Sequence, residues 1–139
     1  GNNTTLLDIE VRDHGSTTPF FTTSVVTASG GTATGVSLAT SNGIYDVTGK
    51  GFSHLRRKLS NVNLSGDVTL DFSYGGASPL LCGDVNSTDG DNKVNGIDLT
   101  LIVEGLNGHS KRLDLNQDTK VNGIDLTNAV TNLNVTGDE

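Results

Sequence analysis

The sequence of 139 residues contains no tryptophan, no methionine, one cysteine, two tyrosines and four phenylalanines. So few aromatic rings argue against carbohydrate binding on an aromatic platform, and a lone Cys82 cannot form an internal disulfide. Glycine-rich phosphate loops and nucleophile-elbow motifs are also absent. His14, His54 and His109 lie in separate segments, without a Cys or acidic partner at metal-ligand spacing. We therefore predict that the protein is not an enzyme and has no catalytic residues.

Positive charge is scarce and unevenly distributed. The formal net charge is −7; residues 1–82 carry −1, from five Lys/Arg against six Asp/Glu, and residues 83–139 carry −6, from four against ten. The only basic run is Arg56, Arg57 and Lys58, so the composition argues against a nucleic-acid partner. No segment is long and apolar enough to span a membrane. We expect an extracellular protein, secreted or held at the cell surface.

An eight-residue sequence, KVNGIDLT, occurs twice, at 93–100 and 120–127, and each copy closes a run of Asp and Asn residues. In the second copy this run has the spacing of a calcium loop, with oxygen donors at positions 1, 3, 5 and 12 and a main-chain carbonyl at position 7. The corresponding residues are Asp114, Asn116, Asp118, Asp125 and Lys120. Ligation by oxygen alone suits a hard cation, and calcium above all.

The first loop is three residues longer between its amino-terminal ligands and the shared motif. Counting backward from KVNGIDLT makes Asp91 the fifth-position ligand, whereas counting forward places Thr88 there with Asp89 beside it, so Asp89 remains an alternative. With the backward alignment, the predicted ligands are Asp84, Asn86, Asp91, the carbonyl of Lys93 and Asp98. The two loops together would bind two calcium ions. A simpler interpretation needs no metal, because Asx-rich turns also cap helices.

Position 6 of such a loop requires a positive φ, for which glycine has no steric penalty. Here Asn92 and Thr119 occupy it. Asparagine adopts this conformation fairly readily, but a β-branched threonine there costs on the order of 1 kcal/mol. We therefore predict that the second loop is strained and that bound metal offsets the strain.

A short amphipathic helix is predicted after each loop, because apolar residues recur at the spacing i, i+3, i+4 and i+7. The two apolar stripes are Leu99, Ile102, Val103 and Leu106 in the first repeat and Leu126, Ala129, Val130 and Leu133 in the second. Neither stripe is large enough to stabilise a helix alone, so we expect the helices to pack against each other. No helical pattern precedes either loop, which distinguishes these units from helix–loop–helix hands.

The duplicated unit, GDVNSTDGDNKVNGIDLTLIVEGLN followed by LDLNQDTKVNGIDLTNAVTNLN, resembles a type I dockerin and covers residues 83–134. The resemblance implies a non-catalytic module whose calcium-ordered helices dock into a protein partner, usually a cohesin on a scaffold. At the positions where dockerins often carry a Ser-Thr pair, this sequence has Gly96-Ile97 and Gly123-Ile124. The basic residues expected along the helices are also replaced, so the resemblance supports calcium binding more strongly than a standard cohesin partner.

The first eighty residues are rich in Thr, Ser and Gly, and their apolar residues alternate, as in Leu7, Ile9 and Val11. Alternation interrupted by Gly and Asn predicts strands near 5–13, 20–28, 34–40, 43–49, 54–59, 61–65 and 67–74. Seven short strands predict a β-sandwich, and GIYDVTGKGFSHLRRKLSNVNL resembles the carboxypeptidase-regulatory-like, prealbumin-type sandwiches. The expected α+β fold comprises an antiparallel sandwich over 1–80, a helical dockerin-like pair of calcium loop–helix units over 83–134 and a tail over 135–139.

These features predict a calcium-binding assembly module that attaches a larger secreted protein to a cohesin-like scaffold. The alternative is a self-assembling extracellular filament or surface-appendage subunit, in which copies of the chain bind one another. Sequons begin at five asparagines, and four of them, Asn2, Asn3, Asn63 and Asn134, are candidate glycosylation sites. The fifth, Asn86, is a predicted calcium ligand, and a glycan there would conflict with that role.

Overall fold

The structure, a computed structural model, describes residues 5–38, 40–87 and 90–139. Within these residues, regular secondary structure consists of four antiparallel strands and two α-helices. The strands are β1 (Leu6–Asp13), β2 (Pro19–Val26), β3 (Ile44–Gly51) and β4 (Arg57–Asn63), and the helices are α1 (Gly96–Glu104) and α2 (Gly123–Thr131). The sheet order is β2-β1-β3-β4, so the two central strands are β1 and β3.

One face of the sheet forms the first hydrophobic core. Ile9 and Val11 of β1 alternate toward this face, and Val11 lies opposite Val47 of β3 in the antiparallel register. Ile9 lies opposite Gly49, where an added β-carbon would come within 3.0 Å of the Phe72 ring. Because Gly49 has no side chain, the Phe72 ring can pack against the sheet at this position. Phe72 itself belongs to no strand.

The opposite face of the sheet carries charged side chains that are largely covered. The Arg12 guanidinium donates to the Glu10 carboxylate at 2.6 Å, and Arg56 lies 3.1 Å from the same carboxylate. These pairings matter because a buried charge without a partner is costly. Lys50 follows Thr48 on this face and is 8% exposed. A covered lysine therefore lies near the end of strand β3, at the edge of a polar face.

The predicted α+β fold with a seven-stranded sandwich is wrong, because the described residues form one four-stranded sheet with two short helices. The strands predicted at 54–59 and 61–65 are a single strand, β4, and the segment predicted as a strand at 67–74 is irregular. The described residues of 34–40 likewise form no strand. Apolar alternation reports which side chains are buried, and Phe72 does pack on the sheet, but a strand also needs a neighbouring backbone to pair with. A prealbumin-type sandwich is therefore not confirmed.

Both predicted helices are confirmed, and each begins at a capping box. The Asn95 side chain accepts from the N–H of Ile97 at 2.8 Å, and the Asp98 side chain accepts from the N–H of Asn95 at 2.8 Å. Asn122 and Asp125 make the same pair of bonds at the start of α2. The repeated NGID sequence therefore sets the beginning of both helices.

The helices pack against each other around a second hydrophobic core, as expected. Only part of each predicted apolar stripe lies in this core: Ile102 and Ala129 are completely buried, but two residues of each stripe are at least 36% exposed. Those exposed residues are Val103, Leu106, Val130 and Leu133. The prediction that the whole stripe is buried is wrong, because the segments preceding the helices fill the rest of the core with Val85 and Val121.

The segment after α2 is bound to the rest of the molecule. Gly137 donates to the carbonyl of Asn92 at 2.9 Å, and the N–H of Asp138 donates to the carbonyl of Arg56 at 2.8 Å. The Asp138 carboxylate accepts from the N–H of Lys58 at 2.9 Å. This segment therefore links the first predicted calcium loop to strand β4.

Ile102→Ala should lower the free energy of unfolding by about 2–5 kcal/mol, because it removes a completely buried side chain and leaves a cavity. Val103→Ala, the next position on α1 but 50% exposed, should change the same quantity by less than about 0.5 kcal/mol. Urea denaturation of both variants measures the difference. Equal losses would mean that the outer part of the stripe is buried after all.

Candidate metal centre

The predicted calcium ligands lie in two loops, each of which ends in the first turn of a helix. Loop one spans residues 84–98 and loop two spans residues 114–125. The last predicted ligands, Asp98 and Asp125, have no exposed surface. Asp98 accepts from the N–H of Val85 at 2.8 Å, and Asp125 accepts from the N–H of Leu115 at 2.7 Å. The beginning of each loop is thus fastened to the helix that follows it.

Loop two folds around the carboxylate of its first residue. Asp114 accepts hydrogen bonds from the N–H groups of Asp118 at 3.0 Å and Thr119 at 2.8 Å. The Asn116 side chain donates to the Asp118 carboxylate at 3.0 Å. That bond, together with one from the N–H of Lys120, holds the pKa of Asp118 below its usual range. Asp118 therefore keeps its negative charge at acidic pH values at which an ordinary aspartate is protonated.

Loop one repeats these bonds despite its three additional residues. Asp84 accepts from the N–H groups of Asp91 at 3.0 Å and Asn92 at 2.9 Å, as the first residue of loop two does from its fifth and sixth. The structure therefore aligns Asp91 with Asp118, in agreement with counting backward from the repeated motif. Asp89, the alternative, lies outside the described residues.

Both loops turn at residues with positive φ. The angle is 63° at Asn92 and 79° at Thr119, which confirms the prediction for position 6. The residues two places earlier also match, with 69° at Gly90 and 58° at Gln117. Because Thr119 is β-branched, its conformation is strained. The two loops thus share a backbone conformation from the fourth position onward.

The oxygen donors of loop one fit a hard cation. The side-chain oxygen of Asn86 is buried and accepts no hydrogen bond from the described residues, a costly state that a cation would relieve. Gly90 passes so close to the Asp84 carboxylate that a β-carbon would collide with it. Within 5–38, 40–87 and 90–139, no three Asp, Glu, His or Cys side chains converge as a metal-binding group. The donors of loop one are thus oxygen atoms, one of them enclosed without a partner, and they do not form a cluster among the described residues.

Lys50 is a candidate functional residue that the loop motif does not reveal. Its ammonium lies 2.8 Å from the Asp84 carboxylate and donates to the carbonyl of His54 at 2.7 Å. Lys50 and Asp84 are 34 residues apart and belong to different halves of the chain, so no local pattern joins them. The sheet thus supplies a positive charge to the first predicted ligand of loop one.

His54 and Cys82 are brought together by an isolated β-bridge, but they do not form an activated nucleophile. Burial, with a smaller contribution from the Lys50 charge, lowers the pKa of His54 to about 4. Burial raises the pKa of Cys82. A reactive cysteine needs the opposite arrangement, a thiolate stabilised by a protonated histidine. This pair is therefore structural.

The molecular surface carries two exposed sequons, at Asn63 and Asn134. The Asn63 side chain accepts from the N–H of Ser65 at 3.0 Å, which closes a turn after β4. Asn2 and Asn3 lie outside the described residues. Neither helix in the described part of the chain has the length and apolar character needed to cross a membrane.

Comparison with known proteins identifies the fold. No family model and no curated protein matches the sequence. Similar solved structures include an N-terminal and a C-terminal interface mutant of a type II cohesin–X-dockerin complex from Acetivibrio cellulolyticus. Both have a TM-score of 0.65, with 24% and 23% identity, and the alignments cover 97% of this chain and 84% of the matched chains. The chain therefore shares the fold of a component of cohesin–dockerin complexes.

Gly90→Ala should lower the free energy of unfolding by about 1–3 kcal/mol, because the new methyl group meets the Asp84 carboxylate at a residue with positive φ. Gly96→Ala is the matched control, since a β-carbon there meets nothing within 4 Å and the residue begins α1. Thermal denaturation compares the two variants. If the two variants have equal melting temperatures, residue 90 does not lie this close to the Asp84 carboxylate.

Proposed function

We propose that the chain is a non-catalytic, calcium-binding attachment module of an extracellular protein, and that its helices bind a protein partner of the cohesin kind. The observation that carries the proposal is the pair of loop–helix units with matching hydrogen bonds, in a fold similar to chains of cohesin–X-dockerin complexes. The duplicated loops support placing this chain on the dockerin side of such a complex.

Charge favours calcium as the ion for both loops. Residues 83–139 carry a formal charge of −6, from four Lys/Arg against ten Asp/Glu, and two calcium ions would remove four of those charges. The proposed ligands are oxygen atoms throughout, as calcium prefers. In loop two, bound calcium would also offset the backbone strain at Thr119, because the ion favours the ordered loop.

Exposed apolar residues repeat on the two helices and supply the proposed contact surface. Ile97 is 60% exposed, and its counterpart Ile124 is 56% exposed. Ile97 borders a shallow groove with Thr100 and Leu101 at the start of α1. Further exposed pairs, one member from each repeat, are Val103 with Val130 and Leu106 with Leu133. Large apolar side chains exposed at matching positions indicate a surface that a partner covers.

Attachment is favoured over self-assembly by the contacts of the last residues. Assembly through the carboxyl terminus would need that segment to be available to a second copy. Gly137 is buried, and Asp138 is bonded to both Arg56 and Lys58 within the same chain. The carboxyl-terminal segment, one of the routes to self-assembly, is therefore already used inside the molecule.

Calcium removal tests the proposed cofactor. Adding a chelator should reduce the helical circular dichroism signal and the melting temperature, because the carboxylates of both loops repel one another without the ion. Asp114→Asn should weaken calcium binding at loop two by on the order of tenfold or more. Asp67→Asn, a change at an exposed carboxylate outside both loops, is the control and should leave calcium affinity unchanged. Identical melting curves with and without chelator would exclude the calcium role.

Binding of a purified type II cohesin in the presence of calcium tests the proposed partner. Changing Ile97 and Ile124 together to Asp should weaken this binding by at least about tenfold, since charges would replace apolar contacts. Val68→Asp, at an apolar residue that is 46% exposed but lies outside the helices, is the matched control. Surface plasmon resonance measures both variants. If the two variants bind equally well, or if the cohesin does not bind the unmodified protein, the proposed partner or surface is wrong.

A further inference from the structure

The two predicted calcium loops differ in one contact that their repeated sequence does not explain. The first ligand of loop one, Asp84, has no exposed surface and lies 2.8 Å from the Lys50 ammonium. The first ligand of loop two, Asp114, is half-buried and forms no ion pair among the described residues. The duplication therefore allows a comparison between a loop whose first ligand pairs with a lysine of the sheet and a loop whose first ligand does not.

The lysine occupies bonding capacity that a metal ion would use. The Asp84 carboxylate accepts three hydrogen bonds, from Lys50 and from the N–H groups of Asp91 and Asn92. The Asp114 carboxylate accepts main-chain bonds from Asp118 and Thr119, and no lysine or arginine pairs with it among the described residues. A carboxylate has about four acceptor positions, and at Asp84 the Lys50 ammonium occupies one that a cation would otherwise use.

Lys50 is held firmly in this position. It is the second-last residue of the central strand β3, is 8% exposed and also donates to the carbonyl of His54. Loop one is tied to the sheet a second time, because the Asn92 side chain accepts from the N–H of Arg56 at 2.7 Å. An ammonium fixed this close to a carboxylate neutralises part of its charge and repels a divalent cation bound to it. Coulombic effects between partly buried groups are weakly screened by salt.

We propose that Lys50 makes the two calcium sites unequal. Its ammonium holds loop one against the sheet before calcium binds and weakens calcium binding there, so that loop two fills first. This inference rests on the proposed calcium binding and assigns Lys50 as a positioning residue. Loop two, lacking such a lysine, depends on the ion for its order, whereas loop one is ordered in part by the sheet.

Lys50→Met tests the proposal, because it removes the ammonium and keeps a stem of similar length. Calcium is titrated while backbone amide signals are followed by NMR, with Asp91 and Asn92 reporting loop one and Asp118 and Thr119 reporting loop two. In the unmodified protein loop two should saturate at a calcium concentration about tenfold lower than loop one. Lys50→Met should raise the affinity of loop one by about tenfold and leave loop two unchanged.

Lys111→Met is the matched control, since Lys111 is exposed and carries the same charge near the loops. It should change either affinity by less than about twofold, because an exposed ammonium is screened. A second readout is the melting temperature without calcium, which Lys50→Met should lower and Lys111→Met should not. Should Lys50→Met fail to fold without calcium, Lys50→Gln keeps a hydrogen-bond donor while removing the charge, and the same shift in affinity is expected.

The outcomes separate this inference from the proposed function. If loop two binds calcium and the affinity of loop one is the same or lower in both Lys50 variants, the role of Lys50 is wrong and the attachment function stands. Equal affinities of the two loops in the unmodified protein would also overturn the inference. If neither loop binds calcium in any variant, the calcium role in the proposed function fails together with this one.

Discussion

The buried carboxylate of Asp84 is the point on which the rest of the structure depends. It accepts from two main-chain N–H groups of its own loop and from the ammonium of Lys50 on the central strand β3. A carboxylate with no exposed surface is costly without partners, and removing any one of them leaves a buried charge incompletely satisfied. The interaction joins the sheet to the first loop–helix unit, so the two cannot move independently without breaking it.

The contacts around this ion pair make the two halves of the chain one body. Asn92, the sixth residue of the aligned loop, accepts from the N–H of Arg56 through its side chain and from the N–H of Gly137 through its carbonyl. Before loop two, the Ser53 hydroxyl donates to the carbonyl of Arg112 at 2.7 Å. Loop one therefore contacts the sheet and the last residues of the chain, while the segment just before loop two is bonded to the turn between β3 and β4.

This asymmetry changes how a duplicated unit can work. Two identical loops would respond together to calcium, but among the described residues only the first ligand of loop one, Asp84, forms an ion pair with a buried lysine. A rigid junction also suits an attachment module, because a partner that covers the helices is then held in a fixed orientation to the sheet. The similarity to chains of cohesin–X-dockerin complexes extends over 97% of this chain, so it includes the junction as well as the loops.

The local features were determined by the sequence alone. Asn95 and Asp98 start α1, and Asn92 adopts a positive φ, because each depends on bonds and sterics within a few residues. The repeat itself identified both loops but left Asp89 as an alternative to Asp91, and the bonds that Asp84 and Asp114 accept then aligned Asp91 with Asp118.

Only the tertiary structure decided the number of strands and the surroundings of the site. Alternation in 67–74 correctly predicted that Phe72 is buried, yet this segment pairs with no strand, and the described residues form no second sheet. The outer apolar residues of the helices look like core residues in the sequence, but Val85 and Val121 occupy that space. The ion pair of Lys50 with Asp84 joins residues 34 positions apart. No periodic sequence pattern predicts such a contact, because it depends on how the tertiary fold brings distant segments together.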